Sequence, residues 1–291
     1  MRLDLPTPGH DAEVAQLLAA RARHEAARRV YVFVFTDEPG AGGRLPRREL
    51  YDAICAAMPV PVVDGLLVRD GRCWSYACVN PRCCPPAGRP IDPASPTATS
   101  LAAAHALVGR SVLADRAAVL DSIRPLGGVT ARSMAEALDR ADATLRRASR
   151  RQKMHGTKRL LDELLARYQD PRAIVDHDEA AYLHVACRDV LVRDSVLARC
   201  SDDQALDRMY RLLRDVARRS VPGRDAPGWG MLGWAAYACG DGVIVVDAAE
   251  RALRSDPGYS LAQLLLDCLE AQVRPELLLA WCEQTSRDTA L

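Results

Sequence analysis

An Asp-Gly dipeptide, Asp70-Gly71, lies between two apolar runs and constrains the fold more than any other short feature of the chain. Asp and Gly tolerate the positive φ angles that a two-residue turn between antiparallel strands requires. The sequence therefore predicts a β-hairpin with strands over 62–69 and 72–78. A hairpin needs further strands or helices on which to pack, so the region around it must contain a small sheet.

The remaining N-terminal segments supply those elements. The run VYVFVF (30–35) is apolar throughout and predicts a strand that is buried on both faces. Helices are predicted over 11–29 and 47–58, so the order helix, strand, helix, strand indicates an α/β layer domain, with α+β as the alternative. Residues 80–100 contain six prolines, which argue against regular structure there, and short helices are predicted at 98–107 and 116–123.

The second half of the chain is predicted to be entirely helical. A breaker cluster at 124–129 places the domain boundary, giving an α/β domain at 1–128 and a helical domain at 129–291. The spacing of small and apolar residues over 226–257 resembles one tetratricopeptide-type helix hairpin. The predicted helices are 130–148, 157–168, 178–198, 203–219, 227–239, 243–254, 259–271 and 275–284.

Bulk properties exclude several classes of protein. The formal net charge is +1, which argues against a general polyanion binder. The sequence opens without a signal-peptide pattern and contains no apolar run long enough for a membrane span, so we expect a cytoplasmic protein with no membrane contact. Thiols stay reduced in that compartment, and clustered cysteines there are more often ligands or redox groups than disulfides.

Four of the ten cysteines lie between residues 70 and 86, namely Cys73, Cys78, Cys83 and Cys84. The spacing matches neither zinc-finger nor ferredoxin patterns, but three thiolates with a further ligand would suit zinc or an iron–sulfur cluster. Adjacent side chains are expected to diverge, which argues against both Cys83 and Cys84 binding one ion. Cys73 is expected to point to the other face of its strand. The candidate metal ligands are Cys78, Cys83 and Cys84, with redox chemistry or simple packing left open.

Two other groups of residues offer weaker candidates. The basic segment 140–160 could contact phosphates, although a solvated helix face is the competing interpretation. His184 and Cys187 share one helix face but lack a further ligand, so a structural role is favoured. No G-x-S-x-G, Walker or H-E-x-x-H pattern is present, and whether the protein is an enzyme is left open. The candidate nucleic-acid contacts are Arg146, Arg147, Arg150, Arg151, Lys153, Lys158 and Arg159.

The stretch VRDGRCWSYACVNPRCCPPAGRPI resembles an uncharacterised actinobacterial family, a domain of unknown function. RLDLP near the start and GWAAYACGDGVIVVDAAERALRSDPGYSLAQLLLDCLEA near the end are also similar to it. Cys73 stands where that family tends to carry an aromatic residue. The resemblance also implies a further helix and strand ahead of RLDLP, so the sheet is expected to lack one strand or differ at its edge. The matching motif residues are Trp74, Ser75, Tyr76, Cys78, Cys83, Cys84, Pro85 and Gly88.

These observations support three hypotheses. The first is a non-enzymatic interaction or regulatory protein with a structural thiol-rich loop, whose helical domain binds a protein partner or a second copy of itself. The second is a metal or iron–sulfur protein, with a redox or enzymatic role left open, that uses Cys78, Cys83 and Cys84. The third is a protein that binds nucleic acid through the basic segment 140–160.

Overall fold

The chain divides into two compact units, Met1–Ser100 and Leu101–Leu291. The computed structural model describes residues 3–40, 42–107, 113, 115–199, 203–277 and 279–280. The boundary predicted between residues 128 and 129 lies inside the second unit, and a domain division at that point stays a prediction.

The N-terminal unit is an α/β layer built on a small mixed sheet, as the sequence predicts. The sheet order is β1-β2-β3-β4, with β1 and β2 parallel and the other two pairs antiparallel. The helix α2 connects the two parallel strands. The elements are α1 (Asp11–His24), β1 (Val30–Phe35), α2 (Arg48–Ala57), β2 (Val62–Arg69), β3 (Arg72–Ser75) and β4 (Arg89–Pro90).

The predicted hairpin is confirmed, although its second strand ends at Ser75 rather than at residue 78. Asp70 and Gly71 have φ angles of 49° and 68°, and Arg69 pairs with Arg72 directly across the turn. The turn chemistry alone therefore fixes the register of β2 and β3. The Pro-rich segment is less irregular than predicted, because Arg89 and Pro90 form the short edge strand β4 against β3. Proline is tolerated there because an edge strand leaves some N–H groups unpaired.

The helices α1 and α2 pack on one face of the sheet. On the other face the side chains of β1 are exposed, within the part of the chain that the structure describes. Val34 and Leu67 on the covered face are buried with Tyr51 of α2 and Tyr76, whose rings stack with centroids 4.8 Å apart. Gly65 permits this approach, since a Cβ at that position would lie 2.2 Å from the Tyr51 ring.

The prediction that the strand 30–35 is buried on both faces is wrong. Tyr31, Phe33 and Phe35 are 56%, 57% and 67% exposed. Among the described residues β1 pairs only with β2, so β1 is an edge strand whose open face carries three aromatic rings.

The C-terminal unit is helical. Its helix α10 is apolar on all sides and packs against α7, α8, α9, α11 and α12, with Trp229 and Trp234 fully buried. The helices are α4 (Arg116–Ser122), α5 (Val129–Leu145), α6 (Arg150–Arg167), α7 (His177–Ala186), α8 (Val190–Leu197), α9 (Asp203–Arg218), α10 (Ala226–Ala238), α11 (Gly242–Ser255) and α12 (Ser260–Glu270). The helix α3 (Pro96–Leu107) crosses the boundary between the units.

Helix boundaries differ from prediction where capping residues determine them. The helix α6 begins at Arg150 rather than at 157, because Ser149 and Gln152 form a capping box. The predicted helix 178–198 is two helices, since the Asp189 side chain accepts the N–H of Leu191 and caps α8. The predicted helix 275–284 extends into residues outside those that the structure describes.

The helices α10 and α11 pack against each other over the region of the predicted repeat. Their likeness to a tetratricopeptide hairpin stays a prediction, as does a protein partner or self-association through the helical domain. No helix among the described residues is both long and apolar enough to cross a membrane.

Candidate metal centre

The structure brings three thiols together beyond the end of β3. The Sγ atoms of Cys78, Cys83 and Cys84 all lie within 4.8 Å of one another, and those of Cys78 and Cys83 are 3.2 Å apart. Cys83 is exposed and the other two are partly buried. We call this group the thiol trio. The expectation that the adjacent Cys83 and Cys84 diverge is wrong.

A tight turn at Asn80 makes the two adjacent cysteines converge. The Asn80 carbonyl accepts the N–H groups of Cys83 at 3.2 Å and Cys84 at 2.8 Å. Its side-chain Oδ1 accepts the N–H of Arg82 at 3.0 Å, an Asx turn. The chain therefore curls around Asn80, and both thiols come back towards Cys78.

Ser75 and Asp64 hold the other side of the trio. The Ser75 hydroxyl donates to Asp64 Oδ1 at 2.8 Å and accepts the N–H groups of Ala77 at 3.1 Å and Cys78 at 3.0 Å. The same carboxylate oxygen accepts the N–H of Gly65 at 2.8 Å. Cys78 is thus fastened through a serine hydroxyl to the centre of the sheet.

The segment that follows the trio, residues 85–88, is anchored on Trp74. Its indole N–H donates to the Pro86 carbonyl at 3.0 Å, and Arg72 donates to the carbonyls of Ala87 at 3.1 Å and Gly88 at 2.8 Å. Gly88 has a φ of +74°, and a Cβ there would lie 2.4 Å from the indole. This position therefore requires glycine for both its backbone conformation and its contact with Trp74.

The hydrogen bonds of the trio favour one thiolate. The Asn80 backbone and hydrogen bonds from Cys83 and Cys84 lower the pKa of Cys78. The hydrogen bond to Cys78 raises the pKa of Cys84 to about 11. The hydrogen bonds within the trio therefore favour the thiolate form at Cys78 over the thiolate form at Cys84. A thiolate is the form of cysteine that binds metals.

Other cysteine and histidine candidates lie elsewhere. Cys73 pairs with Val68 within the hairpin and does not belong to the trio. His184 and Cys187 are both 1% exposed in the helical core, where the His184 ring fits against Gly228. Burial lowers the pKa of His184 to about 4 and raises the pKa of Cys187 to about 12, as expected for core residues.

The basic segment lies at the end of α5 and along the first half of α6. Arg150 pairs with Asp189 at 2.7 Å and Arg159 with Glu163 at 3.9 Å, so these charges are partly neutralised. Nucleic-acid binding stays a prediction, and a steep salt dependence of binding would test it. Six of the seven candidate side chains are exposed and Lys153 is partly buried: Arg146, Arg147, Arg150, Arg151, Lys153, Lys158 and Arg159.

The sequence interpretation missed the role of Asp64. The available signal was a charged residue between apolar residues of a predicted strand, VVDGLLV. Trp74, Ser75 and Gly88 were named only through the family resemblance. The structure shows that each of them holds one part of the segment that carries the thiol trio.

The comparisons with known proteins agree with that resemblance at the level of the family. A family described as Domain of unknown function (DUF4192) matches residues 1–276. Neither the search of curated proteins nor that of solved structures found a match. The chain belongs to the DUF4192 family.

Proposed function

We propose that the protein is a cytoplasmic metal-binding protein in which Cys78, Cys83 and Cys84 bind one zinc ion. The observation that carries this proposal is the convergence of three Sγ atoms within 4.8 Å of one another. Thiolates are the ligands that select zinc among common divalent cations. The bound ion fastens the Pro-rich loop to the sheet, a structural role that a non-enzymatic protein can use.

The size of the trio favours a single ion over an iron–sulfur cluster. Two thiolates that bind one zinc at about 2.3 Å in tetrahedral geometry lie about 3.8 Å apart. The observed spacing, from 3.2 Å to at most 4.8 Å, brackets that value. In an iron–sulfur cluster three cysteines do not all bind one iron atom, so at least two of the three sulfur pairs span different irons and lie further apart.

A disulfide is a less good description of the same geometry. The Cys78 and Cys83 sulfur atoms are 3.2 Å apart, beyond the S–S bond length of about 2.05 Å, and every described cysteine is free. A disulfide between those two residues would also leave Cys84 without a role, although its thiol lies in the same group.

Three protein ligands leave a tetrahedral ion with one open position. Among the residues that the structure describes, no histidine or acidic side chain joins the three cysteines as a fourth member of the group. Cys83 is exposed, so water can reach the ion. We therefore assign the fourth position to water or to another exchangeable ligand.

Elemental analysis of protein purified anaerobically under reducing conditions tests this assignment. We expect one zinc per chain, lost in Cys78→Ser, Cys83→Ser and Cys84→Ser. Cys73→Ser is the matched control, because it changes a thiol of the same hairpin outside the trio. Absence of metal from the wild type, or equal metal content in all four variants, would disprove the zinc site. Iron together with acid-labile sulfide would replace it by a cluster.

A further inference from the structure

The two edges of the sheet are protected very differently. The strand β4 is two residues long and contains Pro90, and both features discourage further pairing. The strand β1 is six residues long, from Val30 to Phe35, with no proline and no charge. The register irregularity between β1 and β2 does not interrupt β1, because Val30 and Tyr31 face Val62 and Asp64, so the extra residue lies in β2.

The exposed side chains of β1 share one face of the sheet. Tyr31, Phe33 and Phe35 alternate with the buried or half-buried Val32 and Val34. Both phenylalanines of the chain are therefore exposed on one edge strand. Long apolar edges are normally blunted, so an unblunted edge is expected to pair with another strand.

The charges that flank β1 are complementary to each other. Arg29 precedes the strand and Asp37 follows it, and both side chains are exposed. In an extended chain, residues with odd numbers here point to the same face as Tyr31, Phe33 and Phe35. Neither Arg29 nor Asp37 forms an ion pair within the part of the chain described by the structure. Glu38, the next acidic residue, is already bound by Arg47.

We propose that two copies of this chain associate through antiparallel pairing of β1 with β1 about a two-fold axis at Phe33. In this register Tyr31 lies opposite Phe35 of the second copy, and Arg29 lies opposite its Asp37. Each aromatic contact and each ion pair then occurs twice, as the symmetry of an isologous interface requires. Cross-strand aromatic and opposite-charge pairs both stabilise antiparallel strands.

The charge pattern selects this register over its neighbours. A shift of one residue would turn the aromatic side chains of the two copies to opposite faces of the joined sheet. A shift of two residues would keep the faces aligned but would separate Arg29 from Asp37. A second copy of the chain is thus the partner that suits this edge. When it runs antiparallel to the first, each charge lies opposite the opposite charge and each aromatic residue lies opposite another aromatic residue.

Charge-swap variants of the full chain test the proposal. In Arg29→Asp the introduced carboxylate faces the Asp37 carboxylate of the second copy. In Asp37→Arg the introduced guanidinium faces the Arg29 guanidinium of the second copy. Two copies of the same variant therefore repel each other. Sedimentation equilibrium should give twice 31.8 kDa for the wild type and 31.8 kDa for each variant. An equimolar mixture of the two variants should recover the dimer, as one copy of each. In that mixed dimer one pair across the axis joins the two introduced charges and the other joins the native ones, and both pairs are of opposite charge.

The matched control is Arg28→Asp. It alters an exposed charge whose even residue number does not place it opposite Asp37 in the proposed register, so it should leave the dimer intact. Far-UV circular dichroism of every variant verifies the fold. A monomeric wild type at tens of micromolar would overturn the proposal. So would a dimer that persists in both single variants, or a mixture that stays monomeric. None of these outcomes depends on the zinc content of the protein.

Discussion

Ser75→Ala tests whether the thiol trio is held in place by the sheet. The mutation leaves all three thiols present but removes the hydroxyl that accepts the N–H groups of Ala77 and Cys78 and donates to Asp64. Each neutral hydrogen bond contributes about 1 kcal/mol net, so losing the two that hold the backbone N–H groups of Ala77 and Cys78 costs about 2 kcal/mol of preorganisation. That energy corresponds to a ~30-fold rise in the zinc Kd. Mutation of groups that orient metal ligands commonly has effects of this size.

Competition with a chromophoric zinc chelator under reducing conditions measures the affinity. Ser122→Ala is the control, because its hydroxyl also makes a hydrogen bond, to the Val119 carbonyl at 2.6 Å, but in the other unit. We expect that variant to bind zinc as the wild type does. A Ser75→Ala protein with wild-type zinc affinity would refute the argument that this serine positions Cys78.

Two further outcomes follow from the packing of single residues. Gly88→Ala strains the backbone and also places a Cβ 2.4 Å from the Trp74 indole, whereas Gly71→Ala adds only the strain of a positive φ. Thermal unfolding should therefore show that Gly88→Ala loses more stability than Gly71→Ala, by more than ~1 kcal/mol. Burial lowers the pKa of His184 from 6.5 to about 4. Below pH 6.5 the unfolded chain therefore binds a proton that the folded chain does not. The free energy of unfolding falls between pH 6.5 and pH 4 by up to about 3 kcal/mol. Urea unfolding across that range should show a shallower pH dependence for His184→Gln, and an unchanged slope would contradict the assignment.

Local chemistry made the hairpin and the secondary-structure classes predictable. Asp70-Gly71 is a short-range signal that needs no knowledge of the rest of the fold, and the positive φ angles of both residues agree with it. The helical nature of the second half also follows from local periodicity. The exact helix ends did not, because they depend on capping side chains such as Ser149 and Asp189.

Burial and long-range geometry were harder to predict. An all-apolar strand such as 30–35 is the pattern of a central strand, yet only neighbouring elements decide whether both faces are covered. The thiols were identifiable from the sequence, but the convergence of Cys83 and Cys84 depends on the turn at Asn80. The support from Asp64 and Gly88 connects residues far apart in the chain, which the local pattern does not reveal.

The zinc K-edge X-ray absorption spectrum of the purified protein tests the proposed centre most directly. Three thiolates and one water predict three sulfur neighbours at about 2.3 Å and one oxygen neighbour at about 2.0–2.2 Å. The Cys83→Ser variant should lose one sulfur neighbour or the metal altogether, and Cys73→Ser should give the wild-type spectrum. Zinc surrounded only by nitrogen and oxygen, or a spectrum unchanged in Cys83→Ser, would contradict a centre built on Cys78, Cys83 and Cys84.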